Sequence, residues 1–146
     1  MKVEFREDSG QLEPEVVITA SRKTPELEDL MARLAGLSLG PVPAFREERA
    51  VLLEPSSILR FFTDGKGVSA QTADRVFSVR RRLYELEETL DPHTFVRISN
   101  SEIVNLKRGT AIDLSLAGTI RMTLGDGVYA YVSRRYMKKI KSTVGL

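Results

Sequence analysis

Four hydrogen-bonding side chains, Arg97, Ser99, Asn100 and Ser101, lie in the stretch FVRISNSEIVNL between the apolar residues Phe95 and Ile103-Val104. Polar groups held in so short a gap either decorate a surface loop or are aimed at a polar ligand. A second concentration lies at the end of the chain. SRRYMKKIKS, residues 133–142, carries five cations in ten residues and no acid. On a helix, 134, 138 and 141 share one face while 135 and 139 share another. The cations therefore surround a helix whose apolar anchors are Met137 and Ile140. Arg134 and Arg135 fall in its first turn, where the helix dipole disfavours positive charge. Cations tolerated there suggest an anion outside the protein. Arginine suits that role, because its planar fork grips phosphate or the O6/N7 edge of guanine.

Catalytic chemistry is poorly represented. His93, in the turn-like DPHT, is the only histidine, and there is no cysteine. Disulfides and thiolate chemistry are thereby excluded, and a zinc site is disfavoured. No phosphate-loop, dinucleotide, GxSxG or HExxH pattern occurs. The carboxylates fall on helix faces (Glu85, Glu87, Glu88) or in turns (Asp64, Asp126), and nothing nominates an acid–base pair. The expectation is a protein that is not an enzyme and uses no cofactor or metal. The N-terminus MKVEFREDSGQLEPE is charged throughout, unlike a signal peptide, and no run approaches the ~20 apolar residues of a membrane span. A cytoplasmic location is expected.

Charge is unevenly spread. Residues 1–55 hold 7 Lys+Arg against 11 Asp+Glu, net −4, and residues 56–146 hold 15 against 9, net +6. The later portion is the one suited to meeting a polyanion.

The elements that must position these groups can be read in order. EVVITA (15–20) is a short β-rich run. TPELEDLMARLAG follows, with Thr24 as cap, Pro25 at the first helical position, and Leu27, Leu30, Met31 and Leu34 at helical spacing. LSLGPVPAF reads as a linker or turn, which sets a boundary near residue 40. PAFREERAVLLEP predicts a hairpin with its tip at Arg46–Arg49. SILRFFT (57–63) predicts a strand, DGKG (64–67) a turn, and VSAQTADRVF a second hairpin. SVRRRLYELEETL predicts a helix over 78–90 capped by Ser78, with Arg80, Arg81 and Arg82 on its solvated face. IDLSL, TIRMTL and VYAYV predict strands joined at AG and at GDG, where Asp126-Gly127 is a hairpin signal. Tyr129 and Tyr131 share one strand face, which core packing explains better than a stacking platform.

Taken together, FVRISNSEIVNL, the hairpin TIRMTLGDGVYAYV and the closing SRRYMKKIK resemble the LytTR family of bacterial DNA-binding domains. SILRFFTDGKG and the helix SVRRRLYELEETL fall where that family has its first core strand, loop and helix. The resemblance covers roughly residues 45–146. It implies a mostly β (α+β) domain, residues 41–146, of about ten strands in stacked sheets. A short strand–helix segment, residues 1–40, would precede it. It implies a sequence-specific transcriptional regulator that binds double-stranded DNA through loops in successive major grooves, commonly as a pair on repeated sites. Carried over by position, Lys66, Asn100 and Arg135 would contact bases. Arg97, Ser99, Ser101, Ser133, Arg134, Tyr136 and Lys138 would contact phosphates. Asn105, after the buried run, is expected to bond the following turn. Many members carry His or a basic residue where this chain has Ser99-Asn100. About 40 residues precede the domain, too few for a phosphorylatable receiver, so a stand-alone regulator is expected. A small membrane protein that restrains it is a further partner suggested by some stand-alone members. Residues 1–40 are expected to be a dimerisation or regulatory element, and a homodimer is expected. The competing reading is a protein-interaction or RNA-binding module whose basic C-terminal region meets an acidic partner.

Overall fold

The computed structural model describes residues 1–12, 14–36, 41–125 and 127–146. Residues 1–24 carry no helix or strand among those described. The expected strand at 15–20 does not form: Val16 and Val17 are exposed with no strand beside them. β-propensity reflects fit to a pleated, half-buried surface, and this run has no such surface to join. The helix after it does form, as α1 (Pro25–Gly36). Thr24 Oγ1 accepts the Leu27 N–H at 3.2 Å, as a cap should.

The strands are β1 (Val42–Arg46), β2 (Arg49–Leu53), β3 (Ile58–Thr63), β4 (Val68–Thr72) and β5 (Val76–Val79). After α2 (Leu83–Thr89) come β6 (Phe95–Ser99), β7 (Glu102–Asn105), β8 (Gly109–Asp113), β9 (Ile120–Leu124) and β10 (Val128–Val132), then α3 (Arg134–Thr143). Among the described residues the ten strands make two sheets. One has seven strands in the order β2-β1-β5-β4-β3-β7-β6, the other three in the order β10-β9-β8. All pairings are antiparallel. Among the described residues no helix is long and apolar enough to cross a membrane.

The runs ILRFF, FVRI and IV are continuous in apolar character because their strands are buried on both faces. Ile58, Phe61, Phe95 and Ile103 join Val42, Phe77, Leu83 and Leu86 in one core, between the large sheet and α2. The Phe61 and Phe95 rings sit 5.8 Å apart there. Leu59, Val96, Ile98 and Val104 point the other way, against Ile120, Met122, Leu124, Ala130 and Val132 of the small sheet and Ile140 of α3. The sheets are therefore stacked, and β3, β6 and β7 form the shared middle layer.

Two predicted elements need correction. The helix expected over 78–90 begins at Leu83, and Ser78 lies in β5 rather than capping it. Pairing of β5 with β4, Val68 opposite Val79, claims these residues for the sheet. Arg82 precedes the helix in extended conformation, and its N–H donates to Glu85 Oε1 at 3.1 Å. Tyr129 and Tyr131 are not core residues: they are 49% and 54% exposed on the outer face of the small sheet. Asp126 of the expected hairpin turn and residues 37–40 of the expected linker lie outside the described residues. β9 and β10 do pair as a hairpin, with Leu124 opposite Val128.

Candidate nucleic-acid interface

The stretch between Phe95 and Val104 is a tight hairpin. β6 and β7 pair with Ser99 opposite Glu102, leaving Asn100-Ser101 as the turn. Burial of Val96 and Ile98 on one strand and Ile103 and Val104 on the other fixes the hairpin to both cores, so the turn must project from the sheet end. Arg97 closes it from beneath. Its Nε donates to the Ser99 carbonyl at 2.7 Å, Nη2 to the Asn100 carbonyl at 2.5 Å and Nη1 to Glu87 Oε2 of α2 at 3.1 Å. Ser101 N–H donates to Ser99 Oγ at 3.2 Å, and the two hydroxyls lie 3.3 Å apart. The Ser101 carbonyl accepts the Thr63 N–H at 2.9 Å, tying the turn to the end of β3. The Asn100 side chain is exposed and makes no hydrogen bond among the described residues. The turn thus spends its other polar groups on holding one amide out to solvent.

The next loop along, Asp64–Gly67, joins β3 to β4. Gly65 takes φ +93°, a conformation glycine adopts without strain. Lys66 is exposed. With Asn100 and Arg97 it lines an open depression of about 580 Å³. Arg80, Arg81, Arg82 and Tyr84 line it too, and among the described residues no acidic one does.

α3 reaches the same end of the domain from the small sheet. The Ser133 N–H donates to the Ile98 carbonyl at 2.9 Å, two residues from Asn100. Ser133 occupies the cap position, but its side chain makes no capping bond. α3 docks through Ile140, with Tyr136 and Met137 half-buried against the second core. Tyr136, expected at a phosphate, is in the first instance a packing residue. Arg134, Arg135 and Lys138 are exposed. Arg134 lies against the turn at Gly118, where a Cβ would come 3.1 Å from a terminal guanidinium nitrogen. Arg135 sits over the Tyr136 ring, 5.6 Å from its centre. Of the expected base contacts, Lys66 and Asn100 share one depression, while Arg135 stands outside its lining.

Asn105 is buried and bonds the following turn as expected. Its Oδ1 accepts the Lys107 N–H at 3.0 Å, and its Nδ2 donates to the Ile58 carbonyl at 2.9 Å. Three polar features escaped the sequence. Arg60 pairs with Glu102 at 3.3 Å, and burial pushes the Glu102 carboxyl above the usual carboxylate range despite the lowering by Arg60. His93 Nε2 meets Asp29 Oδ1 of α1 at 2.9 Å. Arg80 stacks over Phe45, 3.9 Å from the ring centre. All three join residues far apart in sequence, so no local pattern announces them.

Stacked antiparallel sheets whose loops gather Lys66, Arg80, Arg81, Arg82, Arg97 and Asn100 around one depression define a β domain with a cationic end. The LytTr DNA-binding domain family matches residues 48–145. An uncharacterized HTH-type transcriptional regulator of Staphylococcus aureus (strain NCTC 8325 / PS 47) is 31% identical over 147 residues, covering 100% of this chain and 99% of that one. A regulator of the same description from strain MSSA476 is 42% identical over 95 residues, 65% of this chain and 64% of that one. A solved LytTr DNA-binding domain from Bacillus cereus superposes with a TM-score of 0.70 at 20% identity, over 73% of this chain and 98% of that one. The chain belongs to the LytTR family of DNA-binding domains. Its relatives are named HTH-type, yet here consecutive α-helices are separated by five strands each, so no helix-turn-helix unit forms among the described residues.

Proposed function

We propose that this protein is a sequence-specific double-stranded DNA-binding regulator of transcription that reads its site through loops. The observation that carries this reading is the gathering of Lys66 and Asn100 with Arg80, Arg81, Arg82 and Arg97 around one depression, with the start of α3 hydrogen-bonded two residues from Asn100. Asn100, the exposed amide, reads a base edge, where adenine offers paired donor and acceptor sites. Lys66 and Arg135 are the other base readers. Ser99, Ser101, Ser133, Arg134 and Lys138 contact backbone phosphates and so fix register. Arg97 serves by shaping the turn, since its fork is already bonded to two carbonyls and Glu87.

Two copies would sit on repeated sites as a homodimer, with α1 in that role. Its Leu27, Leu30 and Leu34 are only half-buried and Met31 is 45% exposed, so its apolar stripe keeps area for a partner. Truncation at residue 42 should then lower the oligomeric state seen by sedimentation.

A second reading rests on the outer face of the small sheet. Exposed Tyr129 and Tyr131, with Arg121 4.8 Å over the Tyr129 ring, could stack unpaired bases. Titration of duplex and single-stranded oligonucleotides over a salt series, with unrelated duplex as competitor, separates the two. Competitor-resistant duplex binding that weakens steeply with salt supports the lead. Preference for single strands supports the second.

A further inference from the structure

The three arginines ahead of α2 belong to no helix face, and that changes what they can do. Val79 ends β5 in the core and Leu83 opens α2 in the core, so residues 80–82 bridge two buried anchors along the rim of the depression that holds Lys66 and Asn100. The fold treats its arginines in two ways. Arg60, Arg97 and Arg121 are paired, with Glu102, Glu87 and Asp113. Among the described residues no ion pair engages the guanidinium of Arg81 or Arg82, and the one bond to Glu85 comes from the Arg82 main-chain N–H. Arg80 is fixed differently, by its stack on Phe45, and it borders a neighbouring depression that also holds Glu47 and Glu48. That leaves Arg81 and Arg82 as exposed, adjacent like charges with no acid among the described residues that line their own depression. Such repulsion is relieved by an external anion.

A base edge reached in a groove is flanked by phosphates on either side. We infer that Arg81 and Arg82 form a second backbone-binding site, taking two phosphodiesters of the duplex whose base edge Asn100 contacts. The inference rests on the DNA-binding reading above. The site adds affinity without sequence preference. Its contribution is electrostatic, and it extends the interface onto the β5–α2 connection.

The test is the full-length double variant Arg81→Gln/Arg82→Gln against wild type, on a preferred duplex and on an unrelated one, across a salt series. Two lost phosphate contacts should make the slope of log affinity against log salt shallower by about 1.8 and weaken binding on the order of ten- to sixty-fold near 0.1 M salt. The loss should be equal on both duplexes, leaving their affinity ratio unchanged. Arg81→Lys/Arg82→Lys should restore the slope, because the charges return. A Gln variant with wild-type slope and affinity would overturn the site while leaving the DNA-binding reading intact. A changed affinity ratio would overturn the backbone assignment, since these residues would then be reading bases. Wild-type protein that fails to bind either duplex would overturn both.

Discussion

Arg97→Lys separates two roles that one arginine could play. The side chain is only 14% exposed. Its fork holds the carbonyls of Ser99 and Asn100 at 2.7 and 2.5 Å and reaches Glu87 at 3.1 Å. Lysine keeps the charge but presents a point donor, so it cannot span two carbonyls set by a planar guanidinium. Hydrogen bonds to charged groups contribute about 1.5–3 kcal/mol each, and the Asn100 carbonyl, beside solvent, can recover water. Glu87 is half-exposed and loses little when left alone. A net destabilisation of about 2 kcal/mol follows, a Tm drop of roughly 6–10 °C for a domain of this size. Release of the turn also unfixes Asn100. Its contribution to base discrimination, about 1–3 kcal/mol for a good contact, should largely vanish. The salt slope should stay at its wild-type value because no charge is lost. The assays are thermal unfolding followed by circular dichroism and duplex titrations on matched and mismatched sites. A variant with unaltered Tm and discrimination would refute the clamp and return Arg97 to an ordinary phosphate contact, where lysine substitutes well.

Asn105→Ala should cost about 2–4 kcal/mol in urea unfolding, because the Ile58 carbonyl and Lys107 N–H lose their partner at a buried site. A cost under about 0.5 kcal/mol would show that water fills the place. Glu47 and Glu48 at the β1–β2 tip adopt φ of +50° and +63°, so Glu47→Asn/Glu48→Gly should raise stability by about 1 kcal/mol. Unchanged or lower stability would contradict that turn. Burial raises the Glu102 pKa from its ordinary 4.5, so the stability this group contributes is present below that value and is lost as pH rises through the folded value. Glu102→Gln should therefore gain stability relative to wild type as pH rises from below 4.5 toward neutral. A difference that stays flat with pH would contradict the raised value.

The hairpins were legible because turn chemistry is local. DGKG, the charged tip at 46–49 and the GDG segment each stand between runs of strand-forming residues, and each joins paired strands. The β6–β7 segment was legible because Phe95, Ile98, Ile103 and Val104 mark where it enters the core. Where a long-range partner decides, the sequence misleads. Val79 fits a helical stripe with Leu83, Leu86 and Leu90, but β4 was waiting for it, so α2 starts five residues late and the arginines land on a rim. The run at 15–20 has strand-forming residues and no partner. Tyr129 and Tyr131 face outward because Ala130 and Val132 take the inward positions, and alternation alone cannot say which face is buried. The polarity of Arg97 suggested a ligand, while its acceptors, two main-chain carbonyls, leave no mark in a sequence.

Asn100, held out by its turn, is the residue proposed to read a base. The most direct measurement compares wild type with Asn100→Ala on a preferred duplex and on a panel of single-base-pair substitutions of it. One substitution should cost wild type about 1–3 kcal/mol and cost the variant almost nothing, with the salt slopes of the two proteins equal. A variant that weakens equally on every duplex, or that keeps the full wild-type discrimination, would contradict it.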